Sequence, residues 1–286
     1  MRGQSRSGKS TPAGYGRSGR SFFDAAIKRA FAVLVLAALP LFSDASFNNG
    51  ISAFAAPEEI ETRHHFEKAA LKFDATGKLV IIAFGSSSTQ GTGASSPDRS
   101  YPAVLQKSLN SALGPDREIR VINRGIGGED VDTMMERLER DVLREKPDIV
   151  IWQTGSNDLM HDIPLARFMG KTRDGIRQMQ DAGIAVLLME LQYSEATAGK
   201  TDCLAYRDAV RAIGEEMGVP VIKRYDMIQR WLADPVSKKQ DLMCSDGLHM
   251  GDEGYRRLAA EVAAEIMQDL GIRAGLRQSL LRSTRP

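Results

Sequence analysis

The chain has 286 residues, of which 42% are hydrophobic and 26% charged, so it can bury the core of one substantial domain and is too apolar to be disordered throughout. Two cysteines exclude a disulfide-dense scaffold and a four-cysteine zinc site, and four histidines leave little for a histidine-rich metal centre. A formal charge of +1, from 38 basic and 37 acidic side chains, argues against a generally basic nucleic-acid surface.

That charge is unevenly spread. Residues 1–55 carry seven basic and two acidic side chains, which leaves 31 basic and 35 acidic, net −4, for residues 56–286. Residues 1–21 are rich in Gly, Ser and Arg with almost nothing to bury, and read as disordered. The run Ser7-Gly8-Lys9-Ser10-Thr11 hints at a phosphate-binding loop, but the upstream glycine spacing and the preceding strand are missing. Lys28-Arg29 then abut a mainly apolar stretch, residues 30–42. It is short for a membrane span, which needs about 20 residues. Positive charge before it and the small-residue site Ala53-Phe54-Ala55 after it predict a secretory signal, with a retained anchor as the alternative. The expected organisation is a leader over 1–55 and a single domain over 56–286, periplasmic or secreted, with no stable membrane span after cleavage. An oxidising compartment would allow a Cys203–Cys244 disulfide; two free buried thiols are the alternative.

Within the domain, residues 58–70 are expected to form a short helix or an ordered arm. Residues 78–84 are a continuous apolar run after a Thr76-Gly77 turn, the pattern of a strand buried on both faces. Similar runs recur at 119–122, 148–152, 184–189 and 219–222. Helical patterns separate or follow them at 101–113, 129–144, 165–181, 204–217 and 253–270. Strand and helix alternating about five times predict an α/β fold with three α/β/α layers and a mostly parallel central sheet. Such sheets place ligands beyond the carboxyl ends of their strands.

The residues at those ends are small and polar. Gly85-Ser86-Ser87-Ser88-Thr89-Gln90-Gly91 follows the first strand, Asn123-Arg124-Gly125-Ile126-Gly127-Gly128 the second, and Gly155-Ser156-Asn157-Asp158 the third. Ser245-Asp246-Gly247-Leu248-His249 precedes the last helix. Together they can supply a serine nucleophile, a histidine base, an orienting aspartate and donors for an oxyanion. The first loop fits neither the dinucleotide pattern G-x-G-x-x-G nor the elbow G-x-S-x-G, where Thr89 replaces the second glycine.

In this order the four segments resemble the blocks of the SGNH hydrolase family, also called GDSL esterases. The first is similar to G-D-S-x-x-x-G, with Ser86 where the family usually has aspartate, and its frame puts the nucleophile at Ser87. The second places the oxyanion glycine at Gly128, or in another frame at Gly125. The third, similar to G-x-N-D, makes Asn157 the side-chain oxyanion donor and leaves Asp158 structural. The last, D-x-x-H, supplies Asp246 and His249. The resemblance implies a flavodoxin-like SGNH fold and a Ser87-His249-Asp246 site that forms an acyl-enzyme and needs neither cofactor nor metal.

No long apolar lid interrupts the blocks, which favours a small acyl ester, an acetyl group on a carbohydrate or cell-envelope glycan. Acyl transfer to a glycan by the same residues is one alternative, and an inactive glycan-binding protein of the same fold is another. His161 could line the crevice or be a surface residue. Glu190, Gln192 and Tyr193 follow the fourth strand and are expected to meet the leaving group. Trp152, Met134, Met135, Leu138 and Leu143 are expected to be packing residues.

Overall fold

Side chains along β1 (Lys78–Gly85) alternate between two apolar layers. Leu79, Ile81 and Ala83 enter one hydrophobic cluster, and Ile82 and Phe84 enter another. Both faces are covered, so the strand shows an unbroken apolar run where a half-exposed strand would alternate. The computed structural model describes residues 65–272. The expected leader, and the first part of the helix or arm expected at 58–70, lie outside the described residues.

In chain order, α1 (Glu67–Thr76) leads into β1, followed by the short α2 (Ser87–Gln90) and α3 (Tyr101–Ser111). β2 (Glu118–Gly125), α4 (Val131–Leu138) and β3 (Ile149–Gln153) come next. Then follow α5 (Ser156–Met160), α6 (Leu165–Asp181), β4 (Ala185–Met189), α7 (Glu195–Ala198) and α8 (Cys203–Met217). The domain closes with β5 (Val221–Ile222), α9 (Arg224–Ala233), α10 (Lys239–Leu242) and α11 (Asp252–Asp269).

The five strands are all parallel, in the order β2-β1-β3-β4-β5. Phe73 of α1, Leu105 of α3 and Leu258 of α11 pack on one face of the sheet, and Met134 of α4, Ile176 of α6 and Val210 of α8 on the other. This is the α/β/α arrangement expected from the strand–helix alternation. The register sets Gly85 opposite Gly125 and Phe84 opposite Trp152, so β1, β2 and β3 end along one edge. Chain order reverses at β1, which has β2 on one side and β3 on the other. A crevice opens at such a switch point.

Three elements depart from the expected boundaries for local reasons. The helix expected over 129–144 is regular only to Leu138 and continues as one wider, π-type turn over Glu139–Leu143. The fifth strand is two residues long: Pro220 offers its carbonyl to Leu188 N–H at 2.9 Å, but it has no N–H to continue the ladder. The sequence pattern predicts no helix at α9, which opens on a charged residue, Arg224, that is fully buried. Among the described residues no helix is long and apolar enough to cross a membrane.

Candidate active site

The three consecutive serines after β1 have three different partners. Ser86 is buried and donates through Oγ to Gln153 Oε1 at 3.0 Å. Ser88 is buried and donates to Gln192 Oε1 at 2.7 Å. Ser87, the first residue of α2, stands 2.8 Å from His249 Nε2. Ser86 and Ser88 therefore fix the turn, and Ser87 alone faces the imidazole.

The other imidazole nitrogen, Nδ1, lies 2.6 Å from Asp246 Oδ2. The second carboxylate oxygen, Oδ1, accepts from Leu248 N–H and His249 N–H at 2.8 Å each and from the Cys244 thiol at 2.9 Å. Partial burial alone would raise the Asp246 carboxyl. The hydrogen bonds from Cys244, the His249 ring and the two backbone groups outweigh it and hold this carboxyl well below the usual carboxylate range. A permanently ionised Asp246 holds the Nδ1–H tautomer and turns the Nε2 lone pair toward Ser87.

The glycine loop after β2 separates the two candidate oxyanion glycines. Gly125 N–H donates to Asn123 Oδ1 at 2.9 Å, and a Cβ there would fall 2.1 Å from Gln90 N. Gly125 thus lets α2 pack directly on the loop, and its N–H is committed. Gly128 is exposed, has φ +81° and faces open space. The positive φ favours glycine there. Gly127 between them donates its N–H to Gln90 Oε1 at 2.9 Å and sits against Ser87.

Asn157 is half-buried and donates one amide proton to Glu129 O at 2.8 Å. That bond ties the amide to the residue after Gly128 and leaves a second N–H to turn toward the crevice. Asp158 is fully buried and accepts Val131 N–H at 2.8 Å and Gly155 N–H at 3.0 Å. It joins the third segment to the start of α4, the structural role expected of it. Burial pushes its carboxyl up to about 6, against the lowering effect of the two N–H groups.

Sequence reading missed the residue that ties the strand ends together. Arg137 of α4 is only 4% exposed and donates to Gly85 O at 3.1 Å and Arg124 O at 3.0 Å. Its charge is met by Glu129 Oε2 at 2.6 Å and Asp141 Oδ2 at 3.1 Å, and it lies over the Phe84 ring. An Arg and an Asp four apart on a helix read from sequence as a solvated surface pair.

Several expectations need correction. Glu190 does not face a leaving group: it is fully buried and held by Arg211 at 2.7 and 2.8 Å and by Tyr225 N–H at 3.0 Å. Gln192 is buried between Ser88 and Leu248, and Tyr193 packs edge-on against Tyr225. His161 is exposed, in keeping with the surface alternative, and sits 3.1 Å from Asp130, the N-cap of α4. Cys203 and Cys244 are both free, one in the apolar layer under α8 and the other on Asp246, so no disulfide clamps the histidine loop. Trp152 is core, as expected.

Residues 53–243 match the model of the non-GDSL lipase-like family. The match includes Ser87, Gly128 and Asn157; Asp246 and His249 lie beyond it and are placed by the geometry above. The chain is 24% identical to an arylesterase of Vibrio mimicus over 173 residues, 60% of this chain and 81% of that protein. A shorter stretch of 61 residues is 39% identical to an acetylxylan esterase of Geobacillus stearothermophilus, covering 21% of this chain and 28% of that one. Among solved structures, a lipase/acylhydrolase from Enterococcus faecalis superposes with a TM-score of 0.57 at 25% identity, over 66% of this chain and 95% of that one. The chain belongs to the non-GDSL lipase-like family, among the SGNH/GDSL-like hydrolases, and is a hydrolase of ester bonds.

Proposed function

We propose that the protein is an exported serine esterase that removes small acyl groups, acetyl above all, from a carbohydrate or cell-envelope glycan. The observation that carries the chemistry is the chain of contacts from Ser87 Oγ to His249 Nε2, 2.8 Å, and from His249 Nδ1 to Asp246, 2.6 Å. His249 takes the Ser87 proton as Oγ attacks the ester carbonyl, and Asp246 stabilises the imidazolium that forms. The oxyanion is received by the backbone N–H of Ser87, which begins a helix and has no acceptor within it, by Gly128 N–H, and by the second amide proton of Asn157. The imidazolium returns its proton to the departing alcohol. Water, deprotonated by His249, then releases the acyl group from Ser87.

The carbohydrate assignment is supported by the stretch shared with an acetylxylan esterase and by the absence of a long apolar lid between the four segments. The export assignment rests on Lys28-Arg29, the apolar run behind them and the small-residue site at 53–55. Hydrolysis of acetyl, butyryl and longer-chain esters alongside acetylated glycans, with Ser87→Ala as control, tests the substrate. Preference for acetyl esters and release of acetate from the glycan are expected. A rate that climbs with chain length, and no acetate from any glycan, would contradict the reading.

A further inference from the structure

Ser87 and His249 meet at 2.8 Å although they are 162 residues apart and sit on separate loops. Something must hold those loops in register. The histidine loop is closed on itself by a bridge between Met243 and Met250 and by Cys244 N–H on His249 O at 2.9 Å. On one side it is fixed by Ser95, which donates to Asp252 at 2.8 and 2.6 Å, and by Tyr255, whose hydroxyl donates to Thr92 O at 2.5 Å. From the β4 side the Gln192 side-chain amide holds it.

Gln192 is 2% exposed. Its Nε2 donates to Leu248 O at 2.5 Å, and its Oε1 accepts from Ser88 Oγ at 2.7 Å. Leu248 O can only accept, so the amide must present its nitrogen there and its oxygen to Ser88, whose hydroxyl must then donate. Each member of this chain of bonds has one workable orientation. The backbone of Gln192 is pinned in turn by Thr197 Oγ1 on its carbonyl at 2.9 Å. One buried side chain thus joins the residue after the nucleophile to the residue before the base.

We propose that Gln192 is a positioning residue for the acyl-transfer step: it sets the Ser87–His249 distance by clamping α2 to the histidine loop, without touching substrate. The proposal rests on the catalytic assignment above and adds to it. Proton transfer from a nucleophile is steeply sensitive to geometry, and a misplacement of about 1 Å can cost about a hundredfold in rate. Loss of the clamp therefore acts on kcat and leaves KM near its original value.

The test uses Gln192→Leu and Gln192→Glu in the full chain, with Ser87→Ala as control. For Gln192→Leu, kcat is expected to fall about 10- to 100-fold with KM within about threefold, and labelling of Ser87 by an organophosphonate to slow in parallel. Gln192→Glu supplies a readout that loss of stability does not. A protonated carboxyl at position 192 can still accept from Ser88 and donate to Leu248 O; an ionised one cannot donate. Cys244, Asp246, His249 and the Arg211-paired Glu190 are common to both proteins, so the ratio of variant to wild-type kcat isolates position 192. That ratio is expected to fall about tenfold as pH rises from about 5 to about 8. A wild-type kcat in a folded Gln192→Leu overturns the proposal; so, whether or not Gln192→Leu folds, does a Gln192→Glu kcat that is lowered at pH about 5 as far as at pH about 8, since the protonated carboxyl keeps both bonds. If Ser87→Ala keeps wild-type activity, it is the catalytic assignment that fails.

Discussion

Asn157 gives one amide proton to the carbonyl of Glu129, 2.8 Å away, and Glu129 directly follows Gly128. The side-chain donor and the glycine of the proposed oxyanion hole are thus held by one hydrogen bond between two loops that follow different strands. Replacing Asn157 by Ala removes both the tie and the donor. The expected cost is about 2.7–4 kcal/mol of transition-state stabilisation, a fall of about 10²–10³ in kcat, by analogy with other oxyanion donors. Steady-state kinetics on a small acetyl ester measures it, and a wild-type kcat would remove Asn157 from the site.

Arg137 is the keystone of the strand ends. Its removal would leave Glu129 and Asp141 without their cation and the Gly85 and Arg124 carbonyls without a donor. Breaking such a buried pair by deleting one partner costs about 3–5 kcal/mol. Arg137→Met is expected to lose that much in chemical denaturation. Loss below about 1 kcal/mol would show that the charge is not needed to hold β1 and β2.

Much of this fold is legible in the sequence because a buried parallel strand must be apolar on both faces. The run at 78–84 and the helix at 165–181 come out almost residue for residue. What sequence conceals is the burial of polar groups. Arg224 and Arg137 look like surface charges and are buried: Arg137 gives donors to the Gly85 and Arg124 carbonyls and to two carboxylates, and Arg224 gives its Nε–H to the Glu190 carbonyl. Gln192 and Glu190 sit beyond a strand end, where pattern alone points to a crevice; their partners come from segments more than twenty residues away in sequence and only the fold brings them in. Small polar residues at four strand or loop ends point to a crevice with a serine, a histidine and an aspartate, and the resemblance to the SGNH blocks is what singles out Ser87 and Asn157 as candidates.

Asp158 carries a pH signature. Its carboxyl is raised by burial to about 6 from 3.8, so the folded state holds its proton more tightly than the unfolded chain does. Stability from this group is highest at low pH and declines as pH rises from about 4 to about 6, by up to about 3 kcal/mol. Asp158→Asn lacks the ionisation. The melting temperature of Asp158→Asn relative to wild type is expected to improve as pH rises across that window and to level off above it. A difference that stays flat with pH would place the titration elsewhere.

Both thiols are free, and burial pushes each above the ordinary cysteine value, which keeps them as S–H at neutral pH. Dithiothreitol is therefore expected to leave hydrolysis unchanged, and alkylation of the unfolded, unreduced protein to add a label at each cysteine by mass. A protein that takes up no label until reduced would put the Cys203–Cys244 bond back.

Everything proposed for the site depends on Ser87, and not its neighbours Ser86 or Ser88, attacking the ester. Treating the wild-type protein with a serine-directed organophosphonate and locating the adduct by peptide mass spectrometry tests this directly. A single adduct is expected, on Ser87, appearing in step with loss of esterase activity. An adduct on Ser86 or Ser88, or full inactivation with Ser87 unmodified, would contradict it.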